Sequence, residues 1–203
     1  MSEQTSVVPG EVDWSGENPG MYLRESPEGQ LTAMVNFFRV VVSPHGPGHA
    51  AFVLLDPNGN GTGALPNACY TDNEPLARYL ASNFVAFFSA YKGNPHLETL
   101  EYRSADRFSH EGDHTSSWTE TVSGPGVNLV MTWADLYDTF QLDVPADRSA
   151  THKHRMFSLF VSARQGICTF NGVQAPGIAV ARDAHGRPGS SAFLAFSETW
   201  MKV

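Results

Sequence analysis

The residues best suited to chemistry are charged side chains that alternate with apolar ones in three stretches of the chain. These stretches are Val35-Phe37-Arg39-Val41, Trp118-Glu120-Val122 and Leu194-Phe196-Glu198-Trp200. Residues two apart in a strand point to the same side of a sheet, so each charge shares a face with apolar neighbours. Burying a charge is costly unless it is paired, so these residues either face solvent or line an interior together with a partner.

An interior position would give these charges two kinds of role. Burial raises the pKa of a carboxyl group, so Glu198 or Glu120 could transfer protons near neutral pH. Arg39 could instead hold the polar end of a bound molecule. If the sheet closes into a barrel, the first and last long strands become neighbours, and we expect Arg39 to pair with Glu198 inside it. The alternative is a solvent-facing strand side, or a buried ion pair without a catalytic task.

Apolar side chains beside these charges would form the walls of such a cavity. A further mixed face at strand spacing is made by His154, Met156, Ser158 and Phe160. The candidate catalytic residues are therefore Glu198, Arg39, Glu120 and His154. The candidate ligand-binding residues are Phe37, Trp118, Phe196, Trp200, Met156 and Phe160.

Residues 110–114 spell His-Glu-x-x-His, the pattern that binds zinc in many metalloproteases. The pattern works on an α-helix, where two histidines four apart reach one metal ion. Here Gly112 and Asp113 are poor helix residues, and the flanking stretches alternate as strands do, so we predict a hairpin turn. The histidines left for a different metal site, as a weak alternative, are His110, His114, His152 and His154.

Several large enzyme classes leave no motif in this chain. There is no Gly-x-Ser-x-Gly elbow of a serine hydrolase, no phosphate-binding loop and no dinucleotide fingerprint. The two cysteines, Cys69 and Cys168, match no metal spacing and are expected to be reduced, partly buried thiols. We therefore expect no cofactor.

Composition narrows the class of partner. The net charge of −8 disfavours nucleic acid and anionic membranes, since both bind basic patches. No segment has the length and apolarity of a signal peptide or a membrane span, so a soluble, cytoplasmic protein is expected. The expected partner is a small apolar or aromatic molecule, and a homodimer is possible.

The pattern of the chain predicts one helix among many strands. Apolar residues recur at helical spacing from about Glu74 to Tyr91, after capping residues and Pro75. Elsewhere the alternation is that of strands: Leu31–Ser43 and Ala50–Asp56 as a hairpin, then Leu97–Arg107, Thr115–Val122, Val127–Trp133, Thr139–Val144, His154–Ser162, Gly166–Val173, Ile178–Arg182 and Ser191–Lys202. Residues 1–30 are rich in turn formers and are expected as an extended N-terminal lead-in to a single β-rich domain at 31–203.

The fold class expected is mainly β: an antiparallel β-barrel or sandwich of roughly ten strands with one inserted α-helix. In architecture, though not in any motif, this resembles the calycins. The resemblance implies a barrel cavity that binds a small apolar or aromatic molecule, as in a carrier or sensor. Two alternatives stay open. One is a cofactor-free lyase, isomerase, cyclase or hydratase that uses acid–base chemistry in the same cavity, and the other is an interaction module without a ligand.

Overall fold

The computed structural model describes residues 10–59, 63 and 65–203. These residues form a mainly β fold with one α-helix, as the sequence predicted. Of the expected N-terminal lead-in, residues 1–9 lie outside the described part. Among the described residues, no helix is both long and apolar enough to cross a bilayer.

One large sheet contains twelve strands, and two short strands pair separately. The strands of the large sheet are β1 (Glu11–Glu17), β2 (Gly20–Arg24), β3 (Leu31–Val42), β4 (Gly48–Leu54), β5 (Asn67–Thr71), β6 (Glu101–Ser104), β7 (Arg107–Gly112), β8 (Ser117–Gly124), β9 (Val127–Val144), β10 (His154–Phe170), β11 (Val173–Gln174) and β14 (Ala192–Lys202). The small sheet consists of β12 (Ala181–Asp183) and β13 (Pro188–Ser190).

The large sheet is mixed rather than antiparallel throughout. Adjacent strands follow the order β6-β5-β4-β3-β1-β14-β10-β9-β8-β7. In addition, β2 lies between β3 and β14, and β11 pairs with β10. Within this sheet only β5 and β6 run parallel. A parallel pair needs a long connection, and the segment that contains the helix supplies it.

The sheet curls until its two edges meet at residues 101–112. The start of this segment pairs with β5 and its end pairs with β8. Between them, the amide of Ala105 donates to the carbonyl of Thr71, and the amide of Asp106 donates to the carbonyl of Ser123. The result is a ring that is only partly barrel-like, so the expectation of a closed barrel is corrected to a partly closed one.

Each face of the curled sheet carries its own apolar core. On the concave face, side chains from distant strands meet. The ring centroids of Phe37 in β3 and Phe108 in β7 are 6.3 Å apart, and those of Tyr70 in β5 and Phe170 in β10 are 6.0 Å apart. Phe37, Tyr70 and Phe170 belong to one buried cluster with apolar residues of β8 and of the first half of β9, and Phe108 packs against this cluster. The convex face carries a second cluster, against which the helix packs.

The helix α1 spans Glu74–Asn83 and therefore ends earlier than the predicted residue 91. Asn73 caps its start by accepting a hydrogen bond from the amide of Leu76, and Pro75 occupies the first turn. A 3₁₀ turn at Val85–Phe87 and further turns replace the predicted second half. Phe84, Val85 and Tyr91 are all buried in this irregular segment.

The segment expected as a lead-in contributes strands to the large sheet. β1 pairs with both β14 and β3, and β2 continues along the same gap after a break at Asn18-Pro19. Trp14 of β1 is completely buried. The short strands in this turn-rich segment were not predicted, because five to seven residues with Gly and Pro nearby give little alternation to detect.

Two predicted chain reversals do not occur, whereas two predicted hairpins do. β9 and β10 each run without a turn through the positions where the sequence suggested loops, and they pair along most of their length. Asp135 and Asp138 adopt positive φ within β9, so the irregularity is absorbed by the strand itself. The β3–β4 and β7–β8 hairpins are confirmed, and the second contains His110-Glu111-x-x-His114.

Candidate functional site

A cleft of about 420 Å³ opens on the convex face of the sheet. The sheet forms its floor, the turns after α1 form one wall, and the loops after β9 and β12 form the other. Aromatic walls include Phe88, Phe160, Phe193 and Trp200. The site thus lies outside the ring, on the face opposite to the expected barrel cavity.

Glu198 reaches this cleft through a β-bulge in β14. Leu159 of β10 pairs with Phe196 and Phe157 pairs with Thr199, so two residues of β14 face one residue of β10. Ser197 has φ of 51° at this point. An extra residue reverses the alternation of a strand. Because of this reversal, Glu198 and Trp200 face the convex side.

The bulge corrects one of the faces expected from the sequence. Leu194 and Phe196 belong to the concave cluster, while Trp200 belongs to the convex one. The four residues Leu194, Phe196, Glu198 and Trp200 therefore do not share a face. The period-two argument fails here because a bulge leaves no mark in the residue pattern.

A chain of hydrogen bonds runs along the floor of the cleft and ends at Glu198. Tyr22 Oη donates to Asn36 Oδ1 at 2.8 Å, and Asn36 Nδ2 donates to Asn18 Oδ1 at 2.8 Å. Asn18 Nδ2 donates to Glu198 Oε1 at 3.2 Å, and Trp200 Nε1 donates to the same oxygen at 2.7 Å. Every donor points toward the carboxyl group, so the chain is polarised to receive a negative charge.

Burial nevertheless dominates the ionisation of Glu198. Its residue is only 3% exposed, and this burial raises the pKa of Glu198 to about 7 against the opposing hydrogen bonds from Trp200, Asn18 and Ser158. Near neutral pH the group is therefore divided between its charged and neutral forms. The hydrogen bonds from Asn18 and Trp200 both go to Oε1 of this carboxyl group.

Positively charged side chains surround the cleft. Lys92 follows α1, Arg148 lies in the loop after β9, and Arg182 lies in β12. The guanidinium of Arg182 stacks over the rings of Phe193 and Tyr22, at 4.5 and 5.5 Å from their centroids. Among the residues that line the cleft, Glu198 is the only carboxylic acid.

Arg39 does not pair with Glu198, because β1 lies between β3 and β14. Arg39 instead forms ion pairs with Glu17 and with Glu120 of β8, on the concave side of the sheet. Glu120 also accepts a hydrogen bond from Trp118 Nε1 at 2.9 Å. Burial raises the pKa of Glu120 and the Arg39 charge opposes that shift.

The concave cluster holds the other aromatic candidates. Phe37 lies beneath the Arg39 guanidinium, and the Phe196 and Trp118 rings meet edge to face at 5.5 Å. The ring of His110 stacks on that of Trp118 with a centroid distance of 4.7 Å, and the ring centroids of His114 and Phe196 are 4.6 Å apart. The candidate residues are therefore divided between the two faces of the sheet, and the cleft contains Glu198, Trp200, Met156 and Phe160.

The histidines do not converge on a common point. His110 and His114 lie at the β7–β8 hairpin, His152 lines the cleft, and His154 is buried behind it. Within the described part of the chain, no group of three or more His, Cys, Asp or Glu side chains could hold a metal ion.

His154 belongs to a buried polar network that joins four elements. Its Nε2 lies 2.8 Å from Asp13 Oδ2, and its Nδ1 lies 2.9 Å from Thr151 Oγ1. Asp13 also accepts hydrogen bonds from Tyr79 and Lys202. Burial raises the pKa of Asp13, but these three hydrogen bonds together lower it below its ordinary value. The network holds the loop after β9 against β1, and through that loop it shapes one wall of the cleft.

Asn36, Asn18, Tyr22 and Arg182 are among the cleft residues that sequence reasoning missed. Asn36 had a signal, since it is a polar residue in an otherwise apolar strand, on the face opposite to Arg39. Asn18 lies in a Gly- and Pro-rich stretch that indicated only a turn, and Tyr22 and Arg182 carried no pattern of their own. The chain gives no match to any protein-family model, curated protein sequence or solved structure.

Proposed function

We propose that the protein binds a small apolar or aromatic molecule in the cleft on the convex face, as a carrier or sensor of that molecule. The observation that carries this proposal is an aromatic-walled cleft whose floor holds a buried, hydrogen-bonded carboxyl group at Glu198. Ligand sites are typically concave and mostly apolar, with a few polar groups that orient the ligand. The cleft combines aromatic walls with polar and charged side chains, among them Glu198.

The dimensions of the cleft suit a molecule of one to three rings. Its volume of about 420 Å³ lies within the usual range of small-molecule sites, about 300–1,000 Å³. The rings of Phe160 and Phe193 are stacked with their centroids 4.9 Å apart. The ring centroids of Phe88 and Trp200 are 6.1 Å apart across the floor. An aromatic guest gains both apolar burial and favourable ring contacts against such walls.

The test is a titration with N-phenyl-1-naphthylamine, a neutral probe whose fluorescence rises in apolar surroundings. We expect saturable binding at one site per chain. Phe88→Ala should weaken binding about tenfold, since a buried aromatic contact contributes about 1.5–3 kcal/mol. Phe108→Ala is the matched control, because Phe108 is also half-buried but lies in β7 on the concave side.

Two results would overturn the proposal. One is a lack of saturable binding, which would favour an interaction module without a ligand. The other is a loss of affinity in Phe108→Ala with none in Phe88→Ala, which would place the bound probe on the concave side.

A second candidate function is supported by the ionisation of Glu198. A carboxyl group with a pKa of about 7 can both give and take a proton at neutral pH, as general acid–base catalysis requires. In this role the Glu198 carboxyl group would exchange a proton with a bound substrate, in a cofactor-free lyase, isomerase, cyclase or hydratase reaction. Tyr22, Asn36 and Asn18 would stabilise the carboxylate between steps through their hydrogen bonds.

Carboxyl ¹³C NMR tests the acid–base candidate directly. With glutamate labelled at Cδ, the signal absent from Glu198→Gln identifies Glu198, and its titration gives the pKa. We expect a value of about 7. A value near the ordinary 4.5 would leave the group permanently charged at neutral pH and would remove Glu198 as a general acid.

A further inference from the structure

We infer that the molecule bound in the cleft carries a negatively charged head group, a carboxylate or a phosphate, which pairs with Arg182 and is attracted by Arg148 and Lys92. This inference rests on the proposed function, since it assigns the chemical class of the same ligand. It reduces the ligand class from any small apolar molecule to an amphiphilic anion with an apolar or aromatic body.

Arg182 is the first reason. Its Nε is buried and has no hydrogen-bond partner, and no carboxylate of the described residues lies within ion-pair distance of its guanidinium. Burial lowers the pKa of Arg182, because the loss of hydration of the charged form outweighs the opposing electrostatic effects of Tyr22 and Asp183. A guanidinium held in this way has its fork of donors available, and that fork matches a carboxylate or phosphate.

The rings beneath Arg182 explain how it stays in place. The guanidinium stacks on Phe193 and Tyr22, so a ligand anion meets it in a defined orientation rather than as a mobile surface charge. Both rings also line the cleft. The head-group position is therefore continuous with the aromatic walls.

The grouping of three unpaired cations around one cleft is the second reason. Elsewhere in the described chain, five basic side chains pair with carboxylates and the other five are spread over the surface without forming such a group. At the cleft, Lys92, Arg148 and Arg182 have no such partner among the described residues, although the chain has 21 acidic and 13 basic side chains. Three unpaired cations around one aromatic cleft give it a positive field within an acidic protein.

Glu198 does not cancel this field. It is one carboxyl group against three cations, and it is already engaged by Asn18 and Trp200. No ion pair joins it to Arg182. The cleft therefore keeps a net positive charge in either ionisation state of Glu198.

The experiment compares two probes that differ in one group. 8-Anilino-1-naphthalenesulfonate has the same body as N-phenyl-1-naphthylamine and adds an anionic sulfonate. We expect the anionic probe to bind at least about tenfold more tightly, as one charge-assisted contact supplies. Arg182→Gln should reduce this ratio to about twofold or less, and should leave the affinity for the neutral probe within about twofold. Arg107→Gln, which removes an exposed arginine of β7 outside the cleft, should leave the ratio unchanged.

Two further measurements keep the result decisive. Arg148→Gln and Lys92→Gln replace the test if Arg182→Gln does not fold, because both residues are exposed and their variants will fold. Each should lower the ratio of the affinity for the anionic probe to that for the neutral probe. Displacement of the anionic probe by decanoate, decyl phosphate and decanol then separates the head groups. Stronger displacement by decanoate identifies a carboxylate ligand, and stronger displacement by decyl phosphate identifies a phosphate ligand.

The two proposals fail in different ways. If the neutral probe binds but the anionic probe binds no more tightly, or if decanol displaces it as well as both anions, the head-group inference is overturned and the proposed function stands. If neither probe binds saturably, the proposed function itself is overturned and the inference falls with it.

Discussion

Two buried glutamates show how the same side chain is given different chemistry by its neighbours. Glu120 faces a cation, Arg39, on the concave side, whereas Glu198 receives only neutral donors from Asn18 and Trp200. A neighbouring positive charge offsets the cost of burying a carboxylate more fully than neutral hydrogen bonds do. Glu198 is therefore the residue whose proton affinity burial can tune, and Glu120 is chiefly half of an ion pair.

The raised pKa of Glu198 makes stability depend on pH in a predictable direction. The folded state holds the proton up to a pKa of about 7, against an ordinary value of 4.5, so stability falls as pH rises between these values. Glu198→Gln keeps the shape and cannot ionise. Relative to the natural protein, it should gain on the order of 2–3 kcal/mol in free energy of unfolding between about pH 5 and about pH 8.

Urea unfolding of both proteins across this pH range measures the effect. Glu28→Gln serves as the control, because it makes the same chemical change at an exposed position. A difference between Glu198→Gln and the natural protein that stays constant with pH would show that Glu198 is ionised normally in the folded state.

At the scale of elements, the β-bulge in β14 decides which face carries the chemistry. Ser197 and Glu198 together face a single residue of β10, and Ser197 adopts positive φ. Without the extra residue, Glu198 and Trp200 would point into the concave cluster beside Trp118. A strained position is maintained here because it turns the end of the strand toward the cleft.

Replacement by glycine should change the free energy of unfolding in opposite directions at the bulge and at the strand position that follows it. Ser197→Gly should raise the free energy of unfolding by up to about 1 kcal/mol, since glycine adopts positive φ without strain. Thr199→Gly, in the regular strand that follows, should lower it by about 0.5–1 kcal/mol. Deletion of Ser197 should abolish binding of N-phenyl-1-naphthylamine. Denaturant titration and probe fluorescence measure these effects, and a destabilised Ser197→Gly protein would contradict the bulge argument.

The sequence predicted the elements that depend on local pattern and missed those that depend on long-range pairing. The start of α1 at Glu74 follows from Asn73 and Pro75, and the β3–β4 hairpin follows from two apolar runs around a Pro/Gly turn. The insertion of β1 between β3 and β14 has no local signal, and it separates the strands that carry Arg39 and Glu198. The bulge at Ser197 is equally silent, so Glu198 and Trp200 were expected on the same face as Leu194 and Phe196 and lie on the other one.

At the scale of the whole molecule, the two faces of the curled sheet have different tasks. The concave face is filled by its own side chains, including the Arg39–Glu120 pair, and this filling holds the partly closed ring together. The convex face is covered by α1 on one side and by the loops after β9 and β12 on the other, which leaves the cleft between them. Function is thus proposed where the cover of the convex face is incomplete, while apolar burial on both faces stabilises the fold.

This division predicts where a bound molecule will change the motions of the chain. Hydrogen–deuterium exchange with and without N-phenyl-1-naphthylamine should show slower exchange in the three parts that line the cleft, at 85–92, 148–152 and 182–185, because a ligand stabilises only the state that binds it. Residues 118–124 of β8, on the far side of the ring, should exchange at the same rate in both samples and act as the internal control. Protection of β8 without protection of the three cleft segments would mean that the ligand enters the concave side after all, and the filled face would then have to open to admit it.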